Sequence, residues 1–247
     1  MKYIPKFHVE MTIENIMYLS YLVPASRLRS FVPEILPLST FFDDMAFISV
    51  VVFRSKNLRF ANIPIIAVSY NQINVRTYVK DPISGNDGVF FISSGITSGF
   101  TAFFTFLLKI PWHHISLSIS AGKHIQGSHE KYKVSGSWNG DIYIEAYRVS
   151  PVEDDIHYTE NYERATRFLT GPEIGFFAQK GNVLRFRVKH TAIIPHEGEA
   201  TKISFPLITS SGLIKKEELE RPYNIILSPK AYFQIFMPPH MVSLKYT

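Results

Sequence analysis

The stretch Tyr70–Asp81 reads YNQINVRTYVKD, and polar and apolar side chains alternate along it. This alternation predicts a β-strand, because successive side chains of a strand point to opposite faces. One face carries Gln72, Asn74, Arg76 and Tyr78. A water-facing strand usually mixes Lys, Glu and Thr, whereas this row is a set of hydrogen-bond donors. We therefore expect the row to point into a barrel lumen and to line a pocket there.

The segments around this strand also predict β-structure. The turn sequence SGNDG (84–88) follows it, and VFFISSG (89–95) continues the chain, which together predict a β-hairpin. Upstream, MAFISVVVF (45–53) is almost wholly apolar and predicts a strand buried on both faces. The run TIENIMYLSYLV (12–23) predicts a further strand.

Helical patterns are few. We predict short helices after Pro24, over Ser98–Lys109, and in the segment that Gly171 closes. Turn residues separate about ten strands in all. Many strands joined by tight turns favour a closed or strongly curled antiparallel sheet, since closure removes exposed edges. We predict a mainly β (α+β) fold with two or three short helices packed outside, in a single domain over residues 1–247.

The composition of the chain limits the kinds of partner and site that we expect. The chain has no cysteine, which excludes disulfides and thiolate metal sites and is compatible with a reducing cytosol. The net charge is +5, but the basic residues are dispersed and no zinc-finger or RNP-like motif occurs. The apolar run Phe100–Ile110 is far shorter than the roughly 20 residues of a membrane span. We expect a cytoplasmic protein that binds neither nucleic acid nor membrane, and the sequence leaves a homo-oligomer open.

Histidines supply candidate acid–base residues. His113 and His114 are adjacent, so strand geometry points them to opposite faces and they cannot share a metal. His190 closes an apolar row at the end of a predicted strand, which suits a tuned imidazole. For each of the three, a structural role at the core or rim remains the alternative to a pocket role. Phosphate-binding, dinucleotide and zinc motifs are absent, so we predict no metal and no cofactor.

Two basic side chains could carry charge chemistry. Lys109 follows the most apolar predicted helix, so its amine could be desolvated with a lowered pKa, or it could snorkel to water from the helix end. Arg76 needs a partner if it lies inside a barrel, because a buried unpaired charge is costly. That partner is either a protein carboxylate or a bound organic anion.

Three blocks, NVRTYV, GVFFIS and KIPWHH, resemble the acetoacetate-decarboxylase-like superfamily, in particular its uncharacterised YqjF-type branch. Two further blocks, VPASRLRSFVPEILPL and RFLTGPEIGFFAQKGNVLRFRVKH, extend the resemblance over Ile13–Pro195. It implies a cone-like barrel around a small-molecule pocket. The decarboxylases form a Schiff base on a lysine of a Gly-Tyr-Pro-Lys-Lys run, and Trp112 and His113 stand at those two lysines here. Gln72 stands at a glutamate of the decarboxylases, and their carboxylate-binding arginine falls near Asn15.

The leading hypothesis is therefore a barrel that binds a small organic anion and lacks the Schiff-base lysine of the superfamily. Arg76 would be the anchor, and the other binding residues would be Gln72, Asn74, Tyr78, Trp112 and His113. The alternative is a lyase or hydratase-type enzyme acting on a keto acid through His114, His190 or Lys109. A basic scaffold for nucleic acid or a membrane surface is a weaker alternative. The sequence does not identify the ligand.

Overall fold

The computed structural model describes residues 7–61, 63–99, 112–123, 130–149 and 156–242. The described strands are β1 (Phe7–Pro24), β2 (Thr40–Phe42), β3 (Met45–Phe60), β4 (Ile63–Lys80), β5 (Asp87–Ile96), β6 (Trp112–His114), β7 (Ser116–Lys123), β8 (Glu130–Ser137), β9 (Asp141–Arg148), β10 (Ile174–Gln179), β11 (Asn182–His190), β12 (His196–Ser204) and β13 (Asn224–Met241). The described α-helices are α1 (Ala25–Leu28), α2 (Ile156–Thr170) and α3 (Pro206–Ser210), and a 3-10 turn at Arg29–Phe31 continues α1.

Seven strands close into a barrel. Their order is β1-β3-β4-β5-β10-β11-β13, and β13 pairs back onto β1. These pairings are antiparallel except for β5 with β10, which is parallel. The hairpin predicted from SGNDG is present as β4 and β5. The prediction of a mainly β fold with a closed sheet is confirmed.

A second layer covers one side of the barrel. Strand β12 leaves the barrel after two residue pairs with β13, and the sheet continues through β9 and β8 to β7. This layer packs against the outer face of β1, β3 and β4, and the two layers share one buried cluster that includes Leu19, Val50 and Val75 from the barrel and Val134 and Ile144 from the second layer. The run that the sequence predicted to be buried on both faces, within β3, is buried from Ala46 to Phe53.

An irregularity in β1 decides which of its residues face inward. Asn15 has a positive φ of 52°, and the pairing with β3 shifts between Glu14 and Met17. Such a β-bulge reverses the alternation beyond it. Ile13 and Tyr18 consequently lie in the same inner cluster although their positions differ in parity.

Helix α2 contacts the inner face of the barrel. Ala165 and Leu169 are fully buried and pack in one cluster with Phe47 and Tyr78. The helix ends as predicted before Gly171, whose N–H donates to the carbonyl of Arg167 at 3.0 Å. The predicted helix Ser98–Lys109 lies almost wholly outside the described residues. In the described part of the chain, no helix is long and apolar enough to cross a membrane.

Candidate functional site

The polar row of β4 faces the inside of the barrel. Asn74 lies opposite Val51 on β3 and opposite Ser94 on β5, and Val51 lies opposite Tyr18 on β1. Opposed residues of a sheet share a face, so these side chains form one inner band. The exposed fractions of the row are 4% for Gln72, 3% for Asn74 and 0% for Tyr78, whereas Arg76 is partly exposed. Arg76 is therefore the member of the row that a small molecule can reach.

The guanidinium of Arg76 lies among neutral groups. Its Nη2 donates to the carbonyl of Leu169 at 3.1 Å and to the hydroxyl of Tyr78 at 3.3 Å. Its Cζ lies 4.9 Å from the ring centroid of Tyr18 and 5.7 Å from that of Tyr78. Burial raises the pKa of Tyr18 despite the opposing effect of Arg76, so this phenol stays protonated at neutral pH.

No carboxylate pairs with Arg76 within the described ranges. The carbonyl of Leu169 belongs to the last turn of α2, where the helix dipole is negative, and it offsets part of the arginine's charge. An arginine stays protonated at any physiological pH. The positive charge on this inner face is thus only partly compensated, and the site favours an anion electrostatically.

A chain of buried hydroxyls continues from Arg76. The hydroxyl of Tyr78 donates to the carbonyl of Leu169 at 3.0 Å and lies 3.2 Å from the hydroxyl of Ser49. That hydroxyl in turn lies 2.9 Å from the hydroxyl of Ser20. The chain joins β1, β3 and β4 to the end of α2 and fixes the groups that orient the guanidinium.

Several enclosed polar atoms have no hydrogen-bond partner among the described residues. Those along the inner band include Nε of Arg76, Oε1 of Gln72, the hydroxyls of Ser94 and Ser228, and both amide atoms of Asn224. Most buried polar groups in proteins are paired, so each unpaired one calls for an explanation such as strain or a functional role. These atoms have almost no exposed surface, so a ligand would reach them only after their side chains rotate.

The other half of the inner face is apolar and more open. Phe91 of β5 lies directly opposite Arg76, and its ring stacks on that of Phe186 of β11 at 5.9 Å between centroids. The half-exposed inward side chains of this half are Phe91, Phe186, Val188, Phe233 and Ile235. A charged donor therefore adjoins an accessible apolar surface, which is the usual composition of a small-molecule site.

The three histidines predicted as acid–base candidates lie in different parts of the structure. His190 is half-buried on the inner face, where its ring stacks on that of Phe233 at 4.8 Å and its Nδ1 lies 2.9 Å from the carbonyl of Thr191. His113 and His114 are both exposed, and the ring of His113 lies 5.6 Å from that of Trp138 in the second layer. The structure thus brings His190, but not His113, to the inner face.

The last two predicted residues are Trp112 and Lys109. The ring of Trp112 lies 6.5 Å from that of Tyr70, and its backbone lies opposite that of Ser94, so it marks one end of the inner band. Lys109 lies outside the described residues. Sequence reasoning missed Tyr18 and Phe91. They belong to the site because strand pairing places them beside the polar row, and a local sequence pattern does not specify which residues pair across strands.

A separate cavity of about 400 Å³ lies at the end of β1. Its lining residues are Tyr21, Leu22, Val23, Glu217, Glu218, Arg221 and Tyr223. Glu218 already accepts two hydrogen bonds from Arg27, at 2.6 and 3.1 Å. With two glutamates and one arginine in its lining, this cavity is a poor site for an anion.

Comparison with solved structures shows the fold. The chain is similar to the enduracididine biosynthesis enzyme MppR complexed with pyruvate, with a TM-score of 0.59, 10% identity, and coverage of 98% of this chain and 92% of that one. It is also similar to an acetoacetate decarboxylase-like enzyme from Sphingomonas wittichii RW1, with a TM-score of 0.58, 10% identity, and coverage of 98% and 94%. For acetoacetate decarboxylase from Legionella pneumophila the TM-score is 0.51 at 12% identity, with coverage of 95% and 87%. The resemblance to the acetoacetate-decarboxylase-like superfamily is thereby confirmed at the level of the fold.

Comparison of the sequence with curated proteins and with family models gives one match. No curated protein matches the chain. A family model described as an uncharacterized conserved protein, DUF2071, matches residues 10–231, which include every strand of the barrel in whole or in part. The chain therefore belongs to the DUF2071 family and has the fold of the acetoacetate-decarboxylase-like superfamily.

Proposed function

We propose that this protein binds a small organic anion inside its barrel and that Arg76 is the charge anchor. The observation that carries the proposal is that Arg76 is a partly exposed residue on the inner face and pairs with no carboxylate in the described part of the chain. A carboxylate would accept hydrogen bonds from this planar donor. One structure of the same fold is complexed with pyruvate, so a small carboxylate is a reasonable ligand class.

We further propose that binding proceeds without Schiff-base chemistry. The resemblance places Trp112 and His113 at the two lysines of the decarboxylases, and neither side chain can form an imine. Gln72 replaces their glutamate, and its Nε2 donates to Oδ1 of Asn74 at 2.8 Å. Borohydride reduction in the presence of pyruvate, followed by mass spectrometry, should leave every lysine unmodified. An adduct on any lysine, Lys109 included, would refute this part.

Calorimetric titration with pyruvate tests the anchor. Replacing Arg76 by Met should weaken binding about 10- to 100-fold, because one charge-assisted hydrogen bond contributes roughly 1.5–3 kcal/mol. The matched control is Arg27→Met, which removes an arginine that pairs with Glu218 away from the inner face. Equal affinities in the wild type and the Arg76 variant would overturn the proposal.

A lyase or hydratase-type activity on a keto acid is the second candidate, and His190 is the observation that favours it. A carbonyl oxygen only accepts hydrogen bonds, so Nδ1 of His190 carries the proton that it donates to Thr191. In the neutral tautomer that this bond selects, Nε2 is the acceptor nitrogen and can act as a base. Incubation with keto acids, followed by NMR, should show turnover that His190→Gln abolishes if this candidate is correct.

A further inference from the structure

The inner face of the barrel divides into a closed half and an open half. On β1, β3 and β4, the exposed fractions are 3% for Tyr18, 2% for Val51 and 3% for Asn74. On β5, β11 and β13, the inward rings of Phe91, Phe186 and Phe233 are only partly buried instead, so each of these three strands contributes one accessible phenylalanine. Arg76 lies on the boundary, because its register partner on β5 is a residue of the open half.

The aromatic rings of the open half pack against one another in pairs. The centroids of Phe91 and Phe186 lie 5.9 Å apart with 28° between the planes. Phe177 lies 6.0 Å from Phe186, at 48°. On the neighbouring strand pair, His190 and Phe233 stack at 4.8 Å and 20°. Rings at these separations and angles make favourable pairs, and a half-exposed ring can pair with one more.

Gly175 sets the position of the central ring. A Cβ built on this glycine would overlap Cζ of Phe186, so no other residue is compatible with the ring where it stands. Phe186 lies directly opposite Gly175 in the pairing of β10 with β11. The glycine therefore lets this ring cross the strand pair and present one side to the open half of the lumen.

We infer that the ligand is an aromatic carboxylate, whose carboxylate binds Arg76 and whose ring packs against Phe91 and Phe186. This inference rests on the proposed anion-binding function and adds the substrate class. A carboxylate as short as acetate would satisfy only the charged end. Filling an apolar pocket by even one methylene changes affinity by about tenfold or more, so a whole ring should gain at least that factor.

The test compares phenylacetate with acetate by calorimetric titration. The wild type should bind phenylacetate at least about tenfold more tightly than acetate. Phe186→Leu should remove most of that preference while leaving the acetate affinity unchanged, and Arg76→Met should weaken both ligands. Phe60→Leu is the matched control, because Phe60 is 44% exposed at the far end of β3.

The outcomes separate this inference from the proposed function. Equal affinities for the two ligands in the wild type would overturn the aromatic class and leave the Arg76 anchor intact. Binding of neither ligand in an Arg76-dependent way would overturn the proposed function itself. The wild-type comparison decides the question even if Phe186→Leu does not fold, and thermal unfolding of each variant shows whether it does.

Discussion

Replacement by methionine should strongly destabilise the protein at Arg185 of this barrel and should change its stability little at Arg76. Arg76 contacts only neutral groups in the described part of the chain, whereas Arg185 forms a two-point ion pair with Asp81, at 3.1 Å from Nε and 2.9 Å from Nη2. The side chain of Asp81 is 0% exposed in this pair. Removing one partner of a buried pair leaves an uncompensated charge, which costs about 3–5 kcal/mol. We expect this cost for Arg185→Met.

The same replacement at Arg76 leaves no buried charge behind. It removes two charge-assisted hydrogen bonds and two ring contacts, together about 4–8 kcal/mol. Two gains offset this loss. The variant no longer has to desolvate a guanidinium, which saves several kcal/mol. It also buries a methionine side chain, which contributes about 1.5–3 kcal/mol. Tyr78 still donates to the carbonyl of Leu169, so neither group is orphaned. The net change should lie within about 1.5 kcal/mol of zero.

Urea unfolding without ligand measures both variants. With a slope of about 3 kcal/mol per molar, Arg185→Met should lower the midpoint by about 1 M or more, and Arg76→Met by less than about 0.5 M. A loss at Arg76 as large as that at Arg185 would show that Arg76 is mainly structural. It would then serve to cap α2, and the reasoning for a ligand anchor would fail.

Three further predictions follow from individual contacts. Burial alone would raise the pKa of Asp81, but hydrogen bonds from Arg185 and Ser84 outweigh it and hold the pKa below its usual value. The carboxylate of Asp81 therefore stabilises the fold at neutral pH, and this stabilisation is lost as the pH falls through its lowered pKa in the folded protein. In Asp81→Asn, the free energy of unfolding measured with urea should consequently fall less steeply as the pH is lowered. Ser94→Ala removes an enclosed hydroxyl that has no partner among the described residues, so the melting temperature should stay the same or rise, and a clear fall would contradict this. Hydrogen bonds from Tyr143, Lys131 and Tyr147 lower the pKa of Glu145 to about 2, and NMR titration of its carboxyl should find it there rather than at an ordinary glutamate value.

Local pattern was sufficient for β4 because this strand is regular through the polar row. Gln72, Asn74 and Tyr78 alternate with buried apolar residues, and the barrel places the polar side inward as predicted. The same reasoning fails in β1, where the bulge at Asn15 changes the parity of the inner face. Tyr18 is therefore not identifiable as a neighbour of Arg76 from alternation alone.

Contacts between distant segments set the rest of the site. The carbonyl that Arg76 contacts belongs to Leu169, 93 positions further along the chain. Its position depends on how α2 docks on the barrel, which is a packing outcome with no local signal. Likewise, the stacking of Phe91 on Phe186 follows from the parallel pairing of β5 with β10. A sequence pattern specifies which face a side chain takes but does not specify its partner across a closed sheet.

The geometry of β4 also separates anion binding from decarboxylase chemistry, and this can be tested by restoring an acid at position 72. Residues 72 and 76 are four apart on one strand, so their Cα atoms lie about 13 Å from each other. The guanidinium of Arg76 extends toward Tyr78 and Leu169, away from Gln72. A ligand as short as acetoacetate that is held by Arg76 therefore cannot also contact the side chain at position 72.

Gln72→Glu should consequently produce no decarboxylation of acetoacetate, measured as released carbon dioxide, and should leave Arg76-dependent binding in place. It should instead destabilise the fold at neutral pH, because Gln72 is 4% exposed and a carboxylate there would be buried without a cation. Gln72→Met is the matched control for the lost amide. Decarboxylation by the Gln72→Glu variant that the wild type does not show would mean that the ligand binds near position 72. The residue that anchors the ligand would then not be Arg76.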